Sequence, residues 1–155
     1  MTNQNHTAAT LAAMPDAELD ALSAKARGWT LTFGSIEVPC RNGGTEMVRE
    51  HLYEGIGDDG EAGAIVAACD WQPTYDANQA LALLAWASET KGILFDVALG
   101  HFAPDERHPH VEAYQPEYHE TAWTSGNKWL LHIPGADARV MVIAFILAMQ
   151  EVSNG

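Results

Sequence analysis

Four of the seven histidines in the chain fall between residues 101 and 119: His101, His108, His110 and His119. In His108-Pro109-His110-Val111-Glu112 two imidazoles and a carboxylate occupy alternate positions, and His119-Glu120 follows. If residues 108–114 are extended, His108, His110 and Glu112 project from one face, because strand side chains alternate. Two imidazoles and a carboxylate suit zinc or another first-row metal. His108, His110, Glu112 and His119 are therefore candidate metal ligands, and a metal-dependent hydrolase is one function they support. The bland alternative is a solvated loop or an exposed strand face.

The same polar segment carries Tyr114, Tyr118 and Trp123. Rings that stack, beside His108 and His110 that hydrogen-bond, would suit a purine-like small ligand such as a nucleotide signal. Trp86 and Trp129 lie inside predicted elements and are expected in the core. A phosphate-bearing ligand would require basic side chains, among Arg41, Arg49, Arg107, Lys128 and Arg139, to converge against the negative charge.

Glu54 and the run Asp58-Asp59-Gly60-Glu61 look like a calcium loop. The one-three-five ligand spacing and the bidentate Glu at position twelve are missing, so a solvated acidic turn or a contact face for a basic partner is expected. No serine sits in a G-x-S-x-G elbow, neither Cys40 nor Cys69 carries a family signature, and the glycines form no phosphate loop. Sequence thus assigns no catalytic residue and calls for no cofactor.

These residues belong to a chain of 155 residues, 47 % of them hydrophobic, enough for one domain with its own core. Eight basic against 21 acidic residues give a net charge of −13. That balance disfavours direct nucleic-acid binding, which draws on Lys and Arg. Two distant cysteines make neither a disulfide framework nor a four-thiolate site, and are expected as thiols in a reducing cytosol. The first ten residues lack the order of a secretory signal, and the longest apolar run, Val140 to Met149, is shorter than the roughly 20 residues that span a bilayer. A cytoplasmic location in a bacterial host, away from membranes, is expected.

The elements that must position the candidates alternate between classes. Residues 1–10 are expected as a frayed tail and 11–155 as a single α/β domain. Pro15 starts a helix that Lys25, Arg27 and Gly28 end. Trp29 to Phe33 alternates as a strand extending to Val38. Thr45 to Tyr53 fits a short helix with Met47, Val48 and Leu52 inward, while Gly43-Gly44 before it and Gly55, Gly57, Gly60 and Gly63 after it argue for a loop-rich region. Asp76, with Gln79, caps a helix over residues 75–89. Ile93 to Leu99, apolar at most positions, reads as a central strand. Short strands at 111–114 and 128–133 follow, then a closing helix over residues 137–152. Its apolar residues point on almost every side, which implies cover by the sheet and by either another helix or another subunit, the latter pointing to a homo-oligomer.

Three of these features together resemble the phage ABA sandwich domain family. They are Met14-Pro15-Asp16-Ala17-Glu18-Leu19-Asp20 with Gly28-Trp29, the helix start Trp71-Gln72-Pro73-Thr74-Tyr75-Asp76, and the hairpin and helix from Trp123 to Val152. The resemblance implies a layered α-β-α sandwich, with a small mixed or antiparallel sheet covered by helices, encoded in phages or prophages and mostly without an assigned activity. Two stretches depart from it: Pro39 to Gly63 is longer and more acidic, and Val142-Ile143-Ala144-Phe145 stands where relatives carry an A-x-C-x-A core. With the charge and the lack of catalytic motifs, the resemblance implies a non-enzymatic accessory protein that binds and inhibits a host component, such as an antiviral defence protein. Its contact face would be Glu54, Asp58, Asp59 and Glu61. Capture of a nucleotide-like ligand is the alternative.

Overall fold

A computed structural model of the chain describes residues 5–99, 108–117 and 126–154. Among the described residues it has a mixed α+β fold of four helices and two antiparallel three-stranded sheets, the class expected from the alternation of patterns. The chain divides into two compact units, one of residues 1–23 with 73–155 and one of residues 24–72.

Residues 24–72 form the first sheet. β1 (Thr30–Pro39), β2 (Thr45–Ile56) and β3 (Ala62–Ala67) lie in that order, followed by a 3₁₀ turn at Ala68–Asp70. The expected helix at 45–53 is instead most of β2. Its residues pair with β1 from Thr30↔Glu54 to Pro39↔Thr45, and Gly43, at φ +85°, turns the chain between the strands. Gly43-Gly44 thus makes a hairpin, and the β-branched and aromatic residues that follow pair across it. The interior of this unit is aromatic. Trp29 stacks edge-on against Trp71 at 4.8 Å, leans on Tyr53 at 6.3 Å and lies 4.5 Å beneath the Arg27 guanidinium. Gly55 allows this packing, because a Cβ there would stand 2.5 Å from Trp29 Cδ1.

The other unit starts with α1 (Ala8–Ala12), where a polar tail was expected through residue 10. Thr7 and Thr10 explain the difference: their side chains and backbones close a reciprocal cap that satisfies two N-terminal amides. α2 (Asp16–Ala26) follows Pro15 as expected. α3 (Ala77–Lys91) begins where the Asp76 carboxylate accepts from Asn78 N and Gln79 N, and ends at Gly92 with φ +64°.

β4 (Leu94–Ala98), β5 (His110–Glu117) and β6 (Gly126–Pro134) form the second sheet in that order. β4 is therefore an edge strand, not the central one its apolar run implied. Its Leu94 is partly exposed and Leu99, just beyond it, is largely exposed.

α4 (Ala138–Asn154) packs on β5, β6, α1 and α3. Val142, Ala144, Phe145 and Ala148 are wholly buried there. Of the two expected covers, the sheet with another helix is the one observed, and this feature no longer asks for a second subunit. No helix among the described residues is long and apolar enough to cross a membrane.

Candidate metal centre on the second sheet

The two faces of the second sheet differ because strand side chains alternate. Val111 and Ala113 of β5 are fully buried on the helix side. His110, Glu112 and Tyr114, each one position away, project to the other side and are partly exposed. In the antiparallel register Glu112 stands opposite His132 of β6 and opposite Asp96 of β4. Cross-strand partners share a face, so the three-stranded pairing adds an imidazole and a second carboxylate that sequence spacing does not reveal.

The Glu112 carboxylate is the centre of the group. Its Oε1 accepts a hydrogen bond from His132 Nδ1 at 2.8 Å and lies 3.7 Å from His110 Nε2. The two imidazole rings stack with centroids 4.6 Å apart and planes 21° from parallel. One ligand atom from each of His110, Glu112 and His132 lies within 4.8 Å of the others. A tetrahedral ion with bonds of about 2.1 Å holds its ligand atoms roughly 3.4 Å apart, so modest side-chain rotation closes the set.

His110 is held in the required tautomer. Its Nδ1 is 3.0 Å from the carbonyl oxygen of His108. A carbonyl only accepts, so Nδ1 carries the proton and Nε2 is left to face the carboxylate. An outer carbonyl orienting the far nitrogen of a ligating imidazole is the usual support of a metal-bound histidine. The segment is anchored in turn by Gly135 N, which donates to Pro109 O at 2.7 Å.

The site therefore keeps two of the residues expected from sequence and replaces the others. His110 and Glu112 come together. His108 lies before the strand begins, its side chain is exposed, and it serves through its backbone carbonyl. His101, Tyr118, His119 and Trp123 lie outside the described residues. His132 is the candidate ligand that sequence reasoning missed: it sits inside a strand recognised from Lys128 to Ile133, but only the register puts it opposite Glu112.

Trp129 also departs from expectation. Predicted as core, it is 59 % exposed, with Tyr114 leaning on it at 5.0 Å. A bulge is the cause. β6 partners jump from Leu131, opposite Ala113, to Trp129, opposite Tyr114. On a regular strand Trp129 and His132, three apart, would point to opposite faces; one extra residue brings both to the open side. An open groove of about 390 Å³ there is lined by Glu112, Trp129, Leu130, Leu131 and His132.

The acidic residues do not assemble in this way. Glu54 is on β2 opposite Thr30, while Asp58, Asp59 and Glu61 belong to the exposed β2–β3 turn. Asp59 accepts from Glu61 N at 3.0 Å, and Asp58 pairs with Arg27 at 2.5 Å. His110, Glu112 and His132 form the one group of His, Cys, Asp or Glu close enough to hold a metal among the described residues. Protein-family models, curated proteins and solved structures were all compared with this chain, and none matches it.

Proposed function

We propose that this chain is a metal-binding protein whose His110, Glu112 and His132 hold one zinc-class divalent ion on the open face of the second sheet. The observation that carries the reading is the nitrogen of His110 aimed at a carboxylate. With Nδ1 protonated toward His108 O, a lone pair on Nε2 would face the Glu112 oxygen at 3.7 Å. Two lone pairs repel, and a proton or a metal ion between them removes the conflict. Asp96 adds to the argument, because like charges directly across a sheet destabilise it and a bound cation offsets them.

Three protein ligands on an open face leave at least one coordination position to water or a ligand, as functional rather than structural zinc sites do. A metal-bound imidazole must be neutral, so protons compete with the ion and affinity rises with pH. Calorimetry with Zn²⁺ on protein lacking a polyhistidine tag tests the reading. One equivalent is expected, with strong loss in H110A and in H132A and little change in H108A. Uptake well below one equivalent, or equal loss in H108A, would sink it.

The charge supports a second reading, an accessory protein of phage type whose acidic surface engages a basic host component. Glu54, Asp59 and Glu61 are exposed and available to such a partner. Recovery of a host protein from lysate that weakens as salt is raised is the expected outcome; recovery of nothing at low salt removes this reading.

A further inference from the structure

We infer that the open face takes a neutral planar nitrogen heterocycle, a purine base being the representative, whose ring stacks on Trp129 while a ring nitrogen fills the open position of the ion. The inference rests on the metal reading above. Its own support is the bulge in β6. Burying an indole is the ordinary fate of a strand tryptophan; here the extra residue turns Trp129 out, onto the side that bears His132. Bulges of this kind re-aim side chains beside working sites.

The indole is braced as well as exposed. Tyr114, its register partner, leans on it at 5.0 Å with planes 48° apart, so one side of the indole is packed. The groove has Trp129 in its lining together with two of the proposed ligands, Glu112 and His132. Its volume of about 390 Å³ is at the small end of ligand sites, which suits a base better than a larger cofactor.

Charge selects neutrality. Asp96 and Glu112 lie side by side on this face, and a divalent ion brings their combined charge to zero. An anion would meet no surplus of positive charge there, whereas a neutral heterocycle loses nothing by the neutralisation and gains a bond to the ion. Aromatic stacking holds a base by its π-face, and a lone-pair nitrogen in the ring plane reaches a first-row ion from the same pose.

Adenine is the probe, titrated into Zn²⁺-loaded and Zn²⁺-stripped protein and followed by calorimetry and tryptophan fluorescence. Adenine is expected to bind the loaded protein about tenfold or more tightly than the stripped one. W129L should lower adenine affinity by about tenfold, the worth of one stacked base, with Zn²⁺ affinity unchanged. W129F, which keeps a ring, should lose less. Zn²⁺ uptake without adenine binding, adenine binding indifferent to Zn²⁺, or W129L binding adenine like the parent would each overturn the inference and leave the metal reading standing. Failure to take up Zn²⁺ would overturn both.

Discussion

Both sheets are three-stranded and antiparallel, and both set a histidine against other rings on an exposed face, yet they build different chemistry from it. On the first sheet His51 stands opposite Phe33, edge-on at 5.2 Å, and the Arg49 guanidinium lies 5.5 Å over the same ring. On the second His132 stands opposite Glu112 and stacks on His110. What separates them is the residue across the ladder. A phenyl ring and a guanidinium beside an imidazole give packing and discourage a cation, whereas a shared carboxylate between two imidazoles gives a ligand set.

The largest test of this contrast removes the shared carboxylate. E112Q should lower Zn²⁺ affinity by on the order of a hundredfold or more, since it discharges the ligand that joins both imidazoles. H51A should leave Zn²⁺ affinity where it was. Competition against a chromophoric chelator reads both, and comparable loss in the two variants would erase the distinction between the sheets.

The next largest effect belongs to the first unit's interior. A methyl at Gly55 would collide with Trp29 at 2.5 Å, and Trp29 is held by Trp71, Tyr53 and the buried Arg27, so the ring has little room to yield. G55A should cost about 2 kcal/mol in urea unfolding, in the ordinary range for overpacking. Zn²⁺ affinity should be unaffected. A neutral result would mean the aromatic cluster is looser than its geometry, and the contrast between a packed region and a chemical one would weaken.

The same contrast explains what could be read from sequence. Helix ends were legible because capping is local: Asp76 and Pro15 act within a turn of themselves. The strand from Lys128 to Ile133 was legible from its residues, and so was the alternation that puts His110 and Glu112 together. Register is not local. Opposing Glu112 to His132 depends on how β5 and β6 slide, and placing Trp129 on the same face depends on a bulge that the period of two contradicts. β2 was misread for a related reason, since Met47, Val48 and Leu52 fit a helical spacing until Gly43 turns the chain into a hairpin.

A buried acid gives a third, comparable test in the unit that carries the second sheet. Asp20 accepts from Thr74 N at 2.9 Å, and burial raises its carboxyl above the ordinary carboxylate value, against the pull of that hydrogen bond. D20A strips the buried amide of its acceptor and should cost about 1–2 kcal/mol, while D20N keeps an oxygen in place and should cost much less. The sign with pH follows from the raised value. The folded state holds a proton that the unfolded state has released, so stability falls as pH rises from about 3.8 through the folded value. D20N lacks this decline, and its unfolding free energy relative to the parent should therefore improve with pH over that window. A flat difference would show that the carboxyl is not strained by its burial.

The smallest effect is expected where charge meets water. Arg27 is almost wholly buried along its side chain, but its partner Asp58 is 86 % exposed, so solvent screens the pair from one side. The guanidinium also lies 4.5 Å over the Trp29 ring, a contact that does not involve Asp58. D58A should therefore cost under about 1 kcal/mol, and added salt should narrow the gap to the parent. Glu112 differs in being hemmed between two imidazoles, where a lost charge changes what the site can hold. If D58A proved as costly as G55A, the acidic turn would be part of the scaffold of the first sheet rather than a solvated surface, and its exposed carboxylates would have to be weighed as structure before being weighed as a contact face.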